Sequence, residues 1–278
     1  MARLAAVQMN SSDDPVSNLE TAARLIAAAR AEEASAVVLP ENFSVMPDRE
    51  KDRRSFAEPA GRGPVQDFLS DQAARFGVWI IGGTAPLLAD DGNRVKAACL
   101  VFDDRGRLAA RYHKMHLFDV QVSDTEAYRE SDAFEPGDAG TDNIVCVDTP
   151  AGRIGLSVCY DLRFPELYRA LVDKGAEILS VPSAFTATTG RAHWEPLLRA
   201  RAVENQCYVV APAQWGTHAS GRQTHGHSMI IDPWGRVLAS RDVGDGVVIA
   251  DIDLELLADI RRRFPSLTHR RLGRSDID

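Results

Sequence analysis

The stretch Arg153-Ile154-Gly155-Leu156-Ser157-Val158-Cys159-Tyr160-Asp161-Leu162-Arg163-Phe164-Pro165-Glu166 decides how the chain is read. Ile154, Leu156 and Val158 alternate with Gly155, Ser157 and Cys159. That is the period of a strand that buries its branched face and carries the thiol on a face of small residues. Proline in a first helical turn costs no hydrogen bond, so Pro165 marks a helix beginning near Arg163. Free N–H groups and the positive end of the dipole at that helix start are expected to favour thiolate over thiol and to hold an oxyanion. A free cysteine in an apolar run is more often a small buried hydrophobe. The catalytic reading therefore rests on the company Cys159 keeps.

Two other strand-like runs end in reactive side chains. Ala36-Val37-Val38-Leu39-Pro40 leads into Glu41, and Arg107-Leu108-Ala109-Ala110-Arg111-Tyr112-His113 leads into Lys114. Strand ends from distant parts of a chain commonly meet at one rim of a sheet, where sites are built. A thiol, a carboxylate and an ammonium make a complete acyl-transfer set. The carboxylate takes the thiol proton and returns it to a leaving amine, while the ammonium and a backbone N–H stabilise the oxyanion.

These residues resemble the motifs of the nitrilase superfamily of carbon-nitrogen hydrolases: Leu39-Pro40-Glu41-Asn42-Phe43, Tyr112-His113-Lys114-Met115-His116-Leu117-Phe118, and Cys159 through Glu166. The likeness starts at Leu4-Ala5-Ala6-Val7-Gln8-Met9 and runs through Pro182-Ser183-Ala184-Phe185 to Gly226-His227-Ser228-Met229 and Asp232-Pro233-Trp234-Gly235. The resemblance implies Cys159 as nucleophile, Glu41 as general base, Lys114 as oxyanion-stabilising lysine and Glu130 as a second glutamate that positions substrate and supports proton transfer. It also implies a four-layer αββα sandwich of two packed mixed sheets with helices outside, and pairing into a homodimer or larger homo-oligomer. One departure stands out: many relatives carry a proline where this chain reads Asp119-Val120-Gln121-Val122-Ser123-Asp124-Thr125.

Length and composition suit an enzyme with a large core: 278 residues, 45% hydrophobic and 26% charged. No Pro/Gly/Ser-rich linker divides the chain, so residues 1–278 read as one domain with a polar tail from about residue 264. A net charge of -8 argues against nucleic acid or an anionic membrane as partner. Arg261-Arg262-Arg263 reads as the C-terminus of a helix. Cys99, Cys146, Cys159 and Cys207 show no metal-ligand spacing and no secretory segment precedes them, so a reducing cytoplasm is expected. No apolar stretch is long enough to cross a bilayer.

The pattern predicts strands at Leu4–Met9, Ala36–Pro40, Val78–Gly82, Ala97–Phe102, Leu108–Tyr112, Ala176–Val181, Tyr208–Ala213 and His227–Ile231. Helices are predicted at Pro15–Glu33, Pro64–Phe76, Pro165–Asp173 and Ala192–Glu204. Asp103-Asp104-Arg105-Gly106 and Asp232-Pro233-Trp234-Gly235 read as turns.

No metal or organic cofactor is expected. His225 and His227 alternate on one strand face, but no third ligand accompanies them. The substrate class implied is a small carboxylate-bearing amide. Within the superfamily, Asn205-Gln206-Cys207-Tyr208-Val209-Val210 through Gln214 looks most like amidases acting on deaminated glutathione, and next like ω-amidases acting on 2-oxoglutaramate. A nitrilase and an N-carbamoyl amino acid hydrolase are further alternatives. Phe43, Tyr160 and Phe185 neighbour motif residues and are expected to wall the pocket. Arg222, with Arg163 and Arg191, is a candidate cation for the substrate carboxylate; an ion pair of Arg163 with Asp161 or Glu166 is the other reading of that residue.

Overall fold

Buried alternation and a mixture of parallel and antiparallel pairing account for most of the architecture in the computed structural model, which describes residues 2–90, 92–124 and 126–272. β1 (Ala2–Gln8) is followed by α1 (Pro15–Ala31), capped by Asp14, whose carboxylate accepts from the N–H groups of Val16 and Ser17. Next come β2 (Ala34–Val38) and α2 (Pro64–Phe76), the latter stopped by Gly77 at φ 58°. β3 (Trp79–Ile81), β4 (Ala85–Leu88), β5 (Val95–Phe102) and β6 (Leu108–His113) complete most of the first sheet. β1, β2 and β3 run parallel, β3 and β4 share one edge of β5, and β6 takes the other.

A ribbon of β7 (Asp119–Gln121) and β8 (Ala127–Arg129) then leads to the second sheet. That sheet begins with β9 (Cys146–Thr149) and β10 (Gly152–Leu156) and continues through α3 (Pro165–Asp173), β11 (Ile178–Ser180), α4 (Ala187–Asn205) and β12 (Tyr208–Ala211); a separate two-stranded ribbon, β13 (Trp215–Thr217) with β14 (Gln223–His225), follows. β15 (Ser228–Ile231) and β16 (Val237–Arg241) give the order β16-β15-β12-β11-β10-β9. β17 (Gly246–Ile252) returns to the first sheet, pairing antiparallel with β1 along seven residues, before α5 (Leu254–Arg263).

The strand period sorts the side chains into layers. Ala5, Val7, Val37 and Ile80 face α1 and α2, packing on Leu25, Ile26, Leu69 and Ala73. Leu4, Ala6, Ala36, Val38 and Ile81 face the second sheet and meet Ile154, Leu156, Ile178 and Val210; α3 and α4 then cover that sheet with Tyr168, Leu171, Trp194 and Leu198. The result is the αββα sandwich, with β2, β6 and β10 ending at the rim between the sheets.

Several boundaries differ from the sequence reading for local reasons. α4 starts at Ala187 rather than Ala192, because Thr186 caps it by accepting from the Thr189 N–H at 3.2 Å. Gly190 sits inside it because the His225 ring packs where a Cβ would be, 2.3 Å from His225 Cβ. The strand expected to reach Cys159 stops at Leu156, and a 3₁₀ turn, Cys159–Arg163, precedes α3. The segment that departs from the superfamily pattern forms the β7 and β8 ribbon, with Thr125 outside the described residues. Beyond α5, Arg270 pairs with Asp173 of α3 at 2.6 Å, and 273–278 lie outside the described residues. No helix among the described residues is long and apolar enough to cross a membrane.

Gly83 is the tightest point near the rim: its φ is +51°, and a Cβ there would lie 2.0 Å from the Pro40 carbonyl oxygen. Gly83→Ala should lower stability by about 1–3 kcal/mol or more, read as a shifted urea midpoint. An unchanged midpoint would contradict this close approach.

Candidate active site

Each side chain of the site enters from a strand end that the backbone holds on both sides. Beyond β2 the chain is pinned by the Leu39 N–H to Ile81 carbonyl bond at 2.9 Å, and Asn42 turns at φ 58°. Gln214 donates from Nε2 to the Glu41 carbonyl at 3.0 Å and to Ser11 Oγ at 2.7 Å, closing the turn from the second sheet. Lys114 follows β6, its N–H bonded to the Ala97 carbonyl at 2.9 Å and its carbonyl to the Gly137 N–H at 2.8 Å. Cys159 sits at φ 49°, a left-handed conformation that ends the extended run abruptly, and its N–H bonds the Pro182 carbonyl at 2.9 Å. Such a corner turns the thiol off the strand and toward the rim.

The three groups meet there. Lys114 Nζ lies 2.7 Å from Glu41 Oε1, and 2.7 and 2.8 Å from Glu130 Oε1 and Oε2. Glu41 Oε2 accepts from the Ala184 N–H at 2.8 Å, and Cys159 lines the same pocket wall. Glu130 Oε2 accepts from the Phe118 N–H at 2.6 Å, which fixes the carboxylate to the loop entering β7. Lys114 and Glu41 are buried, at 2% and 4% side-chain exposure, so the charges act with little screening by water.

Protonation follows from this arrangement. Burial alone would raise the Glu41 carboxyl, but the charge of Lys114 and its hydrogen bond prevail and hold it below its ordinary range. Glu130 moves upward, driven by burial and by Glu41 against the pull of Lys114. Burial opposes the charge on Lys114, but its two glutamates overcome that and raise its pKa, so it stays an ammonium. The Cys159 thiol is pushed well up, first by burial and then by Glu41. This corrects the expectation that a helix start holds a thiolate: the resting residue is a protonated thiol in the same pocket as its base.

Asp161 joins the two halves of the site. Fully buried, it accepts from the Val158 N–H at 2.8 Å and the Tyr112 hydroxyl at 2.7 Å on one oxygen, and from the His116 N–H at 3.0 Å on the other. The His116 ring nitrogen Nδ1 lies 2.7 Å from that second oxygen. One carboxylate thus ties the cysteine corner of the second sheet to the lysine strand of the first.

Glu41, Lys114, Glu130, Cys159, Tyr160, Phe185 and Arg222 all line one pocket of ≈ 540 Å³, measured with its open mouth. Arg222 donates to the Ala184 carbonyl at 2.8 Å and lies 5.0 Å from the centre of the Tyr128 ring. Phe43, expected as a pocket wall, is instead fully buried in the core between the first sheet and its helices, 6.5 Å from the Phe68 ring, because the turn at Asn42 points it inward. Arg163 makes neither expected ion pair. Its guanidinium stacks over Tyr160 and Phe185 at 5.8 and 5.4 Å while Asp161 serves the backbone. Arg191 borders a separate surface hollow with His225 and His227. Among the described residues no cluster of three or more His, Cys, Asp or Glu could hold a metal ion.

Asn42, Arg53, Tyr128, Arg129 and Thr189 also line the pocket and were not singled out from sequence. Only Asn42 carried a signal, its place directly after Glu41. The others come from a 3₁₀ helix, a short ribbon and the unforeseen first turn of α4, where no periodicity marks them.

The carbon-nitrogen hydrolase family model matches residues 3–262, and the chain belongs to that family, hydrolases of C–N bonds other than peptide bonds. Among its relatives, a protein of Synechocystis named deaminated glutathione amidase is 44% identical over 267 residues, 96% of this chain and 97% of the relative. Two crystal structures carry the same fold. The NitFhit protein of Caenorhabditis elegans matches at TM-score 0.86 and 37% identity over 98% of this chain, which spans 66% of that protein. Nit3 of Saccharomyces cerevisiae, described as a member of the nitrilase superfamily, matches at 0.84 and 33% identity over 95% of this chain and 94% of its own.

Asp161→Ala should cost on the order of 3–5 kcal/mol, since it strands buried donors, whereas Tyr112→Phe, which removes one bond, should cost about 1 kcal/mol. Chemical denaturation of both variants tests the difference; equal losses would mean that Asp161 does not carry the junction.

Proposed function

We propose that the chain hydrolyses the amide of a small carboxylate-bearing substrate through a thioester on Cys159, with deaminated glutathione as the substrate. One observation carries the reading: Cys159 shares a pocket wall with Glu41, whose carboxylate lies 2.7 Å from the buried ammonium of Lys114.

The chemistry follows from these positions. Cys159 Sγ attacks the carbonyl carbon as Glu41 takes the thiol proton. The carbonyl electron pair moves to oxygen, where the Lys114 ammonium meets the charge. The C–N bond then breaks, the nitrogen leaves with the proton from Glu41, and a thioester remains. Water gives a proton to Glu41 and attacks the thioester; the acid departs and the proton returns to sulfur. Glu130 holds the ammonium with both oxygens and keeps it aimed during both steps.

Arg222 supports a carboxylate-bearing substrate, because a guanidinium matches a carboxylate bidentately. The ω-amidase reading shares the acyl group and differs in the leaving group. Relatives named deaminated glutathione amidase, one of them 44% identical over 96% of this chain, support cysteinylglycine as the leaving group.

The same reading includes a homo-oligomer, supported by superfamily resemblance and by the exposed Trp234, Phe264 and Val203, the first two in edge-to-face contact. The four free cysteines fit a reducing cytoplasm, and mass spectrometry of protein from cells should find no disulfide.

Purified protein should release cysteinylglycine from deaminated glutathione with a higher kcat/KM than ammonia from 2-oxoglutaramate, a carbamoyl amino acid or a simple nitrile. Cys159→Ala should abolish turnover and the acyl adduct seen by mass spectrometry. Lys114→Ala should lower the rate about 10² to 10³-fold, and Arg222→Gln should raise KM. Turnover of the nitrile alone would overturn the amidase reading. Light scattering should give at least twice the chain mass of 30.4 kDa, and a monomer would remove the oligomer.

A further inference from the structure

Asn42 is fixed in the pocket wall at both ends. Its N–H donates to the Thr84 hydroxyl at 2.8 Å, and its side-chain Oδ1 accepts from Arg53 at 3.0 Å. Arg53 is itself buried, 2% exposed, bonded to the Val45 carbonyl at 3.3 Å and lying 5.0 Å from the centre of the Phe134 ring. A guanidinium has donors and no acceptor, so it dictates which end of the amide faces it. The oxygen must turn to Arg53, and the two N–H donors of Nδ2 are left at the other end. Asn42 lines the same pocket as Glu41, Lys114 and Cys159, and no described residue accepts a hydrogen bond from its Nδ2.

We propose that Asn42 is a specificity-determining residue: its Nδ2 donates to a keto or carboxylate oxygen of the substrate's acyl group, and Arg53 is the positioning residue that sets this polarity. The scissile carbonyl already has Lys114, so the Asn42 donor serves an oxygen elsewhere on the acyl chain. An amide free to flip would offer an acceptor half the time and repel that oxygen. Locked by Arg53, it offers only donors. The inference deepens the amidase reading by assigning the pocket a preference for oxygen-bearing acyl groups, and it rests on that reading for the identity of the acid.

The test is calorimetric titration of 2-oxoglutarate, the acid released from either candidate amide, into Cys159→Ala protein carrying Asn42, Asn42→Leu or Asn42→Asp. Removing one hydrogen bond to a charged or keto oxygen should weaken binding roughly 10- to 100-fold for Asn42→Leu. Asn42→Asp should bind more weakly still, because Arg53 holds one carboxylate oxygen and the other turns an acceptor to the ligand. In protein with Cys159 intact, Asn42→Leu should raise KM for the oxo-acid amide and leave kcat within about threefold. Equal affinity for Asn42 and Asn42→Leu, tight binding by Asn42→Asp, a kcat loss at constant KM, or no 2-oxoglutarate binding at all would each overturn the inference. Failure of the amidase reading has a separate signature: wild-type protein that hydrolyses no amide, whatever the titration returns.

Discussion

A single ammonium buried between two carboxylates is the constraint on which the rest of the site depends. Taking Lys114, Glu41 and Glu130 out of water is costly, and the cost is offset only while all three stay within hydrogen-bond reach. Glu41 and Lys114 belong to the first sheet, Glu130 to the end of a ribbon, and the Ala184 N–H that completes Glu41 to a loop of the second sheet. Docking of the two sheets and assembly of the charge cluster are therefore one event. Asp161 works in the same sense, since its donors come from both sheets.

The cluster also sets the electronic state of the nucleophile. With Lys114 neutralised by two anions, little positive charge is left to pull a proton off sulfur, and Glu41 stands close enough to oppose it. The base is held ionised by the same ammonium. Lys114 thus keeps Glu41 ready to accept a proton and later meets the oxygen that becomes negative. One cation serves both moments because the carboxylate and the oxyanion succeed each other beside it.

Much of the scaffold was legible in the sequence because it is written locally. Pro15, Pro64 and Pro165 open α1, α2 and α3, Gly77 stops α2, and the alternation in β1 and β10 names its buried face. The convergence of Glu41, Lys114 and Cys159 could be read from three strand-like runs that each end in a reactive group. What stayed hidden was non-local or short. β17 is ordered by pairing with β1 at the other end of the chain, and β4, β7, β8, β13 and β14 span only three or four residues each. The inward turn of Phe43 follows from the left-handed backbone at Asn42, which no periodicity announces. The state of the thiol was misread because a helix start is a local feature, whereas desolvation and the charge of Glu41 arrive only with the tertiary fold.

That protonated sulfur has a bearing on how long the molecule lasts. Peroxides and other oxidants act on thiolate far faster than on thiol. A nucleophile that surrenders its proton only to an adjacent carboxylate, as substrate fills the pocket, spends its idle time in the form that cellular oxidants attack least. Restraint at rest and reactivity during turnover come from the same few side chains.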